Sequence, residues 1–329
     1  MPPKAGKRAP SQRQYVPQAP PEFVDFQHPK LVHEPPSTER WLHEIKFDGY
    51  RLQVRVASGK VTVWTRNSHD WTAKFPEIVA DVAALPDCIL DGELCAIDAN
   101  GMPSFSKLRA AISPGKTGAL VLFVFDLLWH GADDLRTFSL IDRKARLAKL
   151  FESIDSPRLR LVEPLPSGGS ALLLSACKMG LEGIVSKRRD QPYRSGRGDT
   201  WVKSKCRPGQ EVVIGGWVQE PNRAFKAILV GVYEGAGLRY AGTVKSGFRA
   251  TPDLSKRLAS IETDANPFAS GEPPRKTSEI HWVEPKLVAN VEFAEWTDSG
   301  KLRQATFKGM REDKDPKAVR REVESEEPI

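Results

Sequence analysis

The chain has 329 residues and carries 49 lysines and arginines against 42 aspartates and glutamates, a formal net charge of +7. Hydrophobic residues make up 40% and charged residues 28%. This balance is typical of folded globular domains and excludes a wholly disordered chain, a collagen and a small disulfide-rich scaffold. The moderate excess of base suits a polyanionic partner such as nucleic acid, but a charge of this size often serves solubility alone.

The four cysteines, Cys88, Cys95, Cys177 and Cys206, are scattered and form no C-x-x-C pair, which argues against a structural zinc site. Such sparse cysteines are typical of the thiols of a reducing cytosol. The longest apolar run, Ala119–Phe125, is far shorter than the run of about 20 residues that crosses a bilayer. No apolar segment of a secretory signal is present near the start. The sequence therefore predicts a cytoplasmic protein without membrane contact.

The first predicted elements follow a basic, proline-rich arm at residues 1–23, which lacks apolar periodicity and is expected to be flexible. Alternating valines on either side of Ser58-Gly59 predict a β-hairpin over Tyr50–Ala57 and Lys60–Arg66. Continuous apolar content predicts a buried strand at Leu120–Trp129. The spacing of apolar residues predicts further strands at Cys88–Ile97, Ile184–Lys187 and Trp201–Lys205, and helices at Leu140–Phe151 and Ser170–Lys178.

The pattern changes at the turn Arg207-Pro208-Gly209, a predicted domain boundary. Beyond it, about 100 residues of short strands with one helix predict a small β-barrel, for which an OB-fold is the natural candidate. We therefore divide the chain into an arm at 1–23, a first domain at 24–207, a second at 208–315 and a tail at 316–329. The second domain has predicted strands at Glu211–Val218, Ala227–Tyr233, Arg239–Val244 and Val288–Glu295, a helix at Leu254–Ile261 and a linker at Asn266–Ser278.

The first segment that indicates chemistry runs from Glu44 to Arg51 and contains Lys46 between two apolar residues, directly before the turn Asp48-Gly49. A partly desolvated lysine favours the neutral amine, which is the nucleophilic form. Taken alone, the pattern is common, and an isolated lysine is far more often a solvated surface group.

Two further segments suit phosphate and cation binding. Lys203 and Lys205 are two residues apart on a predicted strand and share one face, where two ammonium groups repel each other unless an anion lies between them. A phosphate is the obvious anion. Asp91-Gly92-Glu93 places a glutamate after a tight turn, where it suits a ribose hydroxyl or a hard cation. A solvated basic edge strand and an ordinary turn acid are the alternatives.

Two other segments have less defined roles. On an ideal strand Glu182 and Lys187 lie on opposite faces, an arrangement that a kink at Gly183 would change. Phe125 lies on a predicted core strand, so its ring is either part of the core or a stacking surface for a purine. A basic stretch at Arg303–Lys314 lies near the end of the second domain.

In their order and spacing, these segments resemble the covalent nucleotidyltransferase superfamily of polynucleotide ligases and mRNA capping enzymes. Within it the chain is similar to ATP-dependent DNA ligases, above all to the ligase module of bacterial ligase D and its stand-alone relatives. The resemblance extends over residues 25–315. The matching motifs are Lys46-Phe47-Asp48-Gly49 with Arg51 (I), Thr65-Arg66-Asn67 (Ia), Asp91-Gly92-Glu93 (III), Phe125-Asp126-Leu127-Leu128 (IIIa), Glu182–Lys187 (IV), Trp201–Lys205 (V) and Arg303–Lys314 (VI).

The resemblance implies an α+β fold, in which a nucleotidyltransferase domain of ATP-grasp-like antiparallel sheets with helices precedes an OB-fold β-barrel domain. It implies that Lys46 attacks the α-phosphate of ATP to form lysyl-AMP, and that AMP passes to the 5′-phosphate of a nick, where the 3′-hydroxyl seals the strand. Asp48 is expected to assist the later steps, and Arg51 to serve the reacting phosphates. The implied nucleotide contacts are Glu44 and Phe125 at adenine, Arg66 and Glu93 at the ribose, Lys203 and Lys205 at the α-phosphate, Arg197 as a further nucleotide contact, and Arg303, Arg311 and Lys314 from motif VI.

The resemblance also implies a metal and partners. Glu182 and Glu93 are the expected ligands of Mg²⁺ or Mn²⁺. The DNA partner is nicked or broken duplex DNA, which the basic segment Lys187–Arg207 suits, and a separate DNA end-binding protein is left open as a second partner. The family expectation is a monomer in the cytoplasm, associated with the bacterial nucleoid. Motif VI reaches a bound triphosphate only if the second domain closes over the first, with a hinge at Arg207-Pro208-Gly209.

Some features bear on the choice within the superfamily. Ala305 stands where relatives often have a proline, which concerns only the fine geometry of motif VI. The arm at 1–23 is too short for the domain that NAD-dependent ligases add, and their zinc module is missing, so ATP is the expected donor. The alternatives are an RNA ligase or a GTP-using capping enzyme, and a DNA-binding protein on an inactive ligase scaffold. The form of motif V argues against capping, and the intact motif lysines argue against inactivity.

Overall fold

The computed structural model describes residues 19–165, 168–220, 226–248 and 253–322. Most of the predicted arm and the last seven residues of the predicted tail lie outside the described residues. The end of the arm is tied to the fold, because the carbonyl oxygens of Pro20 and Pro21 accept hydrogen bonds from the Arg55 guanidinium at 2.9 and 2.8 Å. Pro20 and Pro21, which the prediction places in the flexible arm, are therefore hydrogen-bonded to the fold.

Two sheets and the helices beside them form the first part of the chain. The order β4-β3-β5-β6-β7, with β8 parallel to β6, makes a six-stranded sheet, and β1-β10-β9-β2 makes a four-stranded sheet. The strands are β1 (Gln27–Leu31), β2 (Trp41–Lys46), β3 (Tyr50–Ala57), β4 (Lys60–Thr65), β5 (Cys88–Ala96), β6 (Leu120–His130), β7 (Asp133–Asp134), β8 (Leu159–Leu161), β9 (Gly183–Arg188) and β10 (Gly196–Lys205). The helices are α1 (Pro76–Val82), α2 (Phe105–Ile112), α3 (Leu140–Phe151) and α4 (Gly169–Lys178).

The core of this part lies against the six-stranded sheet. Val54 of β3, Leu90 of β5 and Leu122 of β6 are fully buried, together with Leu147 of α3. Each side chain of this size contributes about 1.5–3 kcal/mol when it is removed from water. Helix α3 begins after Ser139, whose hydroxyl caps it by accepting a hydrogen bond from the backbone of the first turn. This packing sets the position of the strands whose ends carry the predicted motifs.

The second part of the chain is built on one seven-stranded sheet in the order β14-β16-β11-β12-β13-β15, with β19 paired to β16. A separate ribbon is formed by β17 and β18. The elements are β11 (Gly209–Val218), β12 (Ala227–Glu234), β13 (Gly237–Val244), α5 (Leu254–Ala259), β14 (Glu262–Thr263), β15 (Phe268–Ser270), β16 (Ile280–Glu292), β17 (Glu295–Trp296), β18 (Leu302–Arg303) and β19 (Thr306–Met310). Within the described ranges, every helix is too short or too polar to span a membrane.

Most predicted strands and helices are confirmed, including the hairpin of β3 and β4, but some predictions are wrong. The predicted strand Val288–Glu295 belongs to a longer strand that begins at Ile280, and Glu295 lies on the separate strand β17. Pro285 interrupts the apolar pattern there, and the pairing of β16 with β11 shifts register around it, as expected for a proline at a bulge. The predicted linker Asn266–Ser278 contains the short strand β15.

The expectation of unpaired thiols is wrong for two cysteines. Cys177, near the end of α4, forms a disulfide with Cys206, which directly follows β10. The two positions are 29 residues apart, and they meet because α4 lies beside β9, the neighbour of β10. Cys88 and Cys95 are free and buried. Spacing along the chain carries no signal for this pair, since the fold alone brings it together.

Candidate active site

A cavity of about 580 Å³ is lined by residues from both parts of the chain. This volume falls within the range of small-molecule and cofactor sites, about 300–1,000 Å³. All but one of the site residues predicted from the sequence line it. These are Glu44, Lys46, Asp48, Arg51, Arg66, Glu93, Phe125, Glu182, Arg197, Lys203, Lys205, Arg311 and Lys314.

Lys46 is the last residue of β2 and lies opposite Gly183 of β9. Gly183 has a φ of +151°, and a Cβ at this position would lie 2.1 Å from the Ser204 carbonyl oxygen, so only glycine fits. At this bend the Glu182 carboxylate contacts the lysine, with 2.5 Å between Oε2 and Nζ. Glu182 and Lys187 both line the cavity. The bend at Gly183 therefore has the effect considered in the sequence analysis, since the two side chains do not lie on opposite faces.

The charge state of Lys46 differs from the sequence expectation. Burial by itself lowers the pKa of the Lys46 ammonium, but the Glu182 carboxylate outweighs burial and the pKa is raised. The predicted neutral amine is therefore not the state of this structure. Lys46 is held as an ammonium and needs a change around Glu182 before it can act as a nucleophile.

Two more carboxylates lie near Lys46. Burial, followed by the nearby Glu182, raises the pKa of Asp48 to about 6, and burial raises the pKa of Glu93 to about 7. Burial outweighs the nearby cations at both carboxyls, and carboxylate oxygens are ligands that suit a hard divalent cation. Within the described residues no three acidic, histidine or cysteine side chains form a metal cluster. A cation would therefore depend on one or two carboxylates and substrate phosphates, as is common for Mg²⁺.

Arg51 is fixed in orientation by a buried carboxylate. Its Nε and Nη2 donate to the two carboxylate oxygens of Asp91 at 2.9 and 2.6 Å, and its Nη1 donates to the Gln27 carbonyl oxygen at 2.6 Å. Tyr193 donates a further hydrogen bond to Asp91 at 3.2 Å. Burial lowers the pKa of the guanidinium, but Asp91 outweighs burial and raises it. The result is a permanently charged arginine with no freedom to rotate away from the cavity.

Glu44 is buried between two lysines. Its Oε1 accepts from Lys144 at 2.6 Å, and its Oε2 lies 2.6 Å from the Lys187 Nζ. Burial raises the pKa of Glu44, but the two lysines outweigh it and lower the pKa. Lys187 Nζ also lies 4.2 Å from the ring centroid of Phe125 and 4.1 Å from that of Trp201. This network fixes the Phe125 ring at the cavity wall.

Lys203 and Lys205 share one face of β10, and an anion does lie between them. The anion is the carboxylate of Glu322, whose two oxygens accept hydrogen bonds from Lys203 at 2.7 Å and Lys205 at 3.0 Å. Burial lowers the pKa of Lys203 to about 8. Burial raises the pKa of Glu322, but the two lysines outweigh burial and lower it to about 2. The pair of lysines is thus an anion site.

The end of the second part of the chain closes over the first. The Arg311 guanidinium pairs with Asp313 at 2.9 and 2.8 Å and donates to the Gly49 carbonyl oxygen at 3.2 Å. Lys314 pairs with Glu211 at 2.7 Å. Both cations line the cavity beside Lys46, so the structure has the closed arrangement that motif VI requires.

The structure does not bring Arg303 to the cavity, which contradicts its predicted place among the nucleotide contacts. Arg303 lies on the β17–β18 ribbon and pairs with Glu295, with 62% of its side chain exposed. The reason is its position eight residues before Arg311. The strand β19 separates the two, and within motif VI the cavity-lining residues, Arg311, Asp313 and Lys314, all follow this strand.

Several supporting residues carry no sequence signal of their own. Lys144 reaches Glu44 across 100 positions, and Glu322 reaches Lys203 across 119. His28 of β1 lines the cavity among arginines, and burial followed by the nearby Arg66 lowers its pKa to about 3, so its imidazole is neutral. Among the residues that support the site, Asp91 is the one that the sequence points to, because it is the first residue of the Asp91-Gly92-Glu93 motif.

Comparison with known proteins identifies the family. Residues 27–205 match the family model of the ATP dependent DNA ligase domain, and residues 221–314 match that of the ATP dependent DNA ligase C terminal region. The chain is 40% identical over 308 residues to the multifunctional non-homologous end joining protein LigD of Pseudomonas aeruginosa, which covers 91% of this chain and 36% of the relative. It is 38% identical over 292 residues to LigD of Mycobacterium tuberculosis, with 86% and 38% covered. The chain thus spans little more than a third of these relatives.

Among solved structures, the chain is similar to that of mycobacterial DNA ligase D complexed with ATP and MES. The TM-score is 0.64 at 34% sequence identity, and the match covers 89% of this chain and 98% of that one. This similarity confirms the predicted α+β class, with a nucleotidyltransferase domain followed by an OB-fold domain. From the two family models and these relatives it follows that the chain belongs to the ATP-dependent DNA ligase family.

Proposed function

We propose that this chain uses ATP to join a 3′-hydroxyl to a 5′-phosphate in nicked or broken duplex DNA, through lysyl-AMP on Lys46. The observation that carries the proposal is the position of Lys46 in a nucleotide-sized cavity lined by cations from both parts of the chain. Every step of this reaction is a displacement at phosphorus, in which charge builds on oxygen. Fixed lysines and arginines aimed at that charge are effective catalysts.

In the first step, the Lys46 amine forms a bond to the α-phosphorus of ATP and pyrophosphate leaves. The proton on Nζ must leave before attack, and Glu182, at 2.5 Å, is positioned to accept it. Lys203 and Lys205 neutralise the α-phosphate oxygens. Arg311, held at the cavity by domain closure, neutralises the departing pyrophosphate.

The later steps transfer AMP to the 5′-phosphate of the DNA and then release it as the 3′-hydroxyl attacks. Arg51 is held by Asp91 at the cavity wall, where it binds the reacting phosphates. Asp48, whose pKa is raised to about 6 by burial, exchanges a proton readily near neutral pH and assists these steps. These steps require the second domain to move away from the cavity, with Arg207-Pro208-Gly209 as the hinge between β10 and β11.

For the nucleotide, we propose that Phe125 stacks on adenine beside Glu44, and that Arg66, Glu93 and Arg197 meet the sugar and phosphates. A divalent cation, Mg²⁺ or Mn²⁺, would be held by Glu182 and Glu93 and would supply positive charge against the phosphate oxygens.

For its biological setting, we propose a bacterial repair enzyme at the nucleoid that acts as a monomer. The relatives named above are described as non-homologous end joining proteins. A DNA end-binding protein is accordingly the proposed partner at double-strand breaks.

We propose 24–207 and 208–315 as the bounds of the two domains.

A sealing assay tests the proposed function. The purified chain is incubated with a singly nicked duplex whose 5′-phosphate is labelled, in the presence of Mg²⁺ and ATP, GTP or NAD⁺. We expect sealed product with ATP only. Sealing with GTP or NAD⁺, or sealing of a nicked RNA duplex in preference to DNA, would contradict the proposal.

Replacing Arg311 with alanine is expected to separate the first step from the last. Arg311 is at the cavity only in the closed arrangement, so lysyl-AMP formation from ATP should fall by about 100-fold or more, as for loss of other charge-stabilising donors. Sealing of a duplex that already carries a 5′-adenylate should change by less than about tenfold. Rapid-quench assays of the two steps measure this. Equal losses in both steps would contradict the proposal that Arg311 acts only while the second domain is closed over the first.

The family resemblance implies that Arg303 contacts the nucleotide, whereas the structure places it away from the cavity. Arg303→Ala distinguishes the two. Because Arg303 lies on the exposed ribbon, lysyl-AMP formation should remain within about twofold of the wild type. A loss as large as that of Arg311→Ala would place Arg303 at the nucleotide in some other arrangement of the domains.

DNA binding is expected to depend strongly on salt. The segment Lys187–Arg207 holds eight basic residues against the acids Asp190 and Asp199. Arg189 is exposed beside the Glu39 carbonyl oxygen, so Arg189→Gln should reduce the slope of log Kd against log salt by about one. Fluorescence anisotropy with a nicked duplex measures the slope. Lys60→Gln, on the exposed start of β4 in the other sheet, is the matched control.

A further inference from the structure

The C-terminal segment, defined here as residues 319–322, is fixed to the second domain at several points. Val319 is buried, and its carbonyl oxygen accepts a hydrogen bond from the Tyr233 backbone at 2.9 Å. The Arg321 guanidinium lies 4.7 Å from the ring centroid of Trp296. These contacts lead the chain from the domain core to the edge of the cavity.

A single glutamine clamps the backbone of this segment. Gln210, the second residue of β11, is buried, and its side-chain amide both donates and accepts hydrogen bonds. One donated bond is local, from Nε2 to the Glu211 carbonyl oxygen at 2.9 Å. Its Nε2 donates to the Arg320 carbonyl oxygen at 2.9 Å, and its Oε1 accepts from the Glu322 backbone N–H at 2.9 Å. The side chain of Glu322 therefore enters the cavity from a defined backbone position.

The Glu322 carboxylate then fills the site between Lys203 and Lys205, with one oxygen on each ammonium. Two oxygens of one anionic group bridging two lysines is the arrangement that a phosphate would make there. Glu322 lines the same cavity as Lys46, so the two groups share one space. Part of the site proposed for the α-phosphate is thus occupied by an anion of the chain itself.

We infer that Glu322 is an internal substitute for the nucleotide phosphate, so that docking of the C-terminal segment and binding of ATP at Lys203 and Lys205 exclude each other. This inference rests on the proposed function, since it takes the lysine pair as the phosphate subsite. The segment keeps the lysines paired while no nucleotide is present, and it has to leave before the α-phosphate can reach them. The chain then carries an inhibitory contact at its own active site.

Charge and geometry favour competition over joint occupancy. A carboxylate and a phosphate at the same pair of lysines repel each other within a partly buried site, where charges are weakly screened. The pKa of Glu322 lies near 2, so its carboxylate stays charged throughout the physiological pH range. Protonation of Glu322 therefore does not release the segment near neutral pH.

The size of the effect follows from the docked fraction. The apparent affinity for ATP falls in proportion to the fraction of molecules in which the site is open, so a segment docked in about nine molecules of ten weakens ATP binding about tenfold. Glu322→Gln keeps the shape of the side chain and removes its charge. We therefore expect ATP to bind about tenfold more tightly to this variant.

The decisive measurement is ATP binding by calorimetry in a Lys46→Ala background, where no covalent step follows. Glu322→Gln should tighten binding, and Gln210→Ala, which removes the clamp and leaves the carboxylate, should tighten it by a smaller factor. Glu284→Gln removes an exposed charge of the same domain that pairs with Lys286, and it should change nothing. Unchanged or weaker binding in Glu322→Gln would overturn the inference.

A second readout separates this inference from the proposed function. Hydrogen exchange of the peptide that contains residues 319–322 should increase when ATP saturates the full chain. Unchanged protection with ATP bound would refute mutual exclusion, whatever the chain catalyses. If no ATP binds to any variant and no lysyl-AMP forms, the proposed function fails first. If lysyl-AMP forms normally and Glu322→Gln has no effect, only the inhibitory contact is refuted.

Discussion

Replacing Lys46 with alanine is expected to abolish nick sealing, with a loss of more than about a thousandfold relative to the wild type. Lys46 Nζ is the group proposed to form the covalent bond to AMP, and alanine has no atom that can replace it. Labelled ATP followed by a denaturing gel measures the covalent adenylate, and a nicked duplex measures sealing. Both signals should disappear together.

A conservative variant sharpens this prediction. Lys46→Arg keeps a positive charge near Glu182 but presents a guanidinium, which stays protonated and is not a nucleophile. It should bind ATP and still form no adenylate. Adenylate formation in either variant would assign the nucleophile to another residue. Sealing of a duplex that already carries a 5′-adenylate should survive in Lys46→Ala to a measurable level, because that step needs no new bond to the lysine.

The second large effect concerns stability. Asp126 and Arg143 form a fully buried ion pair, with Nε to Oδ1 and Nη2 to Oδ2 distances of 2.8 Å. Asp126→Asn leaves the arginine charge buried without its partner, which costs about 3–5 kcal/mol of unfolding free energy. In a domain of this size the Tm should fall by about 10 °C. Thermal unfolding followed by circular dichroism measures the change.

The control for this pair lies on the same helix. Arg146 pairs with Asp133 at 2.9 Å, but 38% and 52% of their side chains are exposed. An exposed ion pair contributes only about 0–1 kcal/mol, so Arg146→Ala should shift Tm by no more than about 2–4 °C. Equal shifts in the two variants would mean that burial does not set the strength of the Asp126 pair.

The sequence predicts elements well where their signal is local. The valine alternation around Ser58-Gly59 and the apolar run of β6 depend only on neighbouring residues, and both elements are present. Strand β1 is different, because Gln27–Leu31 has almost no apolar alternation. It becomes a strand because β10 pairs with it in parallel, and that pairing joins residues about 170 positions apart.

The same division applies to the site. Lys46, Lys203 and Glu182 are predicted because each stands in a short segment whose residue types already suggest phosphate chemistry. The anion between the lysines is predicted as a class, but Glu322 as its source is not, since the fold alone brings this residue to Lys203. Arg303 was predicted at the nucleotide because it belongs to a family motif. A motif gives residue types and their spacing, but it does not show that β19 separates Arg303 from the end of the motif that reaches the cavity.

The location of AMP on the chain decides whether Lys46 is the nucleophile. The protein is first stripped of bound AMP with pyrophosphate, then incubated with ATP and Mg²⁺, digested and mapped by mass spectrometry, and finally chased with nicked duplex DNA. We expect one AMP on Lys46, in the segment between Glu44 and Arg51, and its loss as sealed DNA appears. AMP on another residue, or no adduct on a chain that still seals the nick, would contradict it.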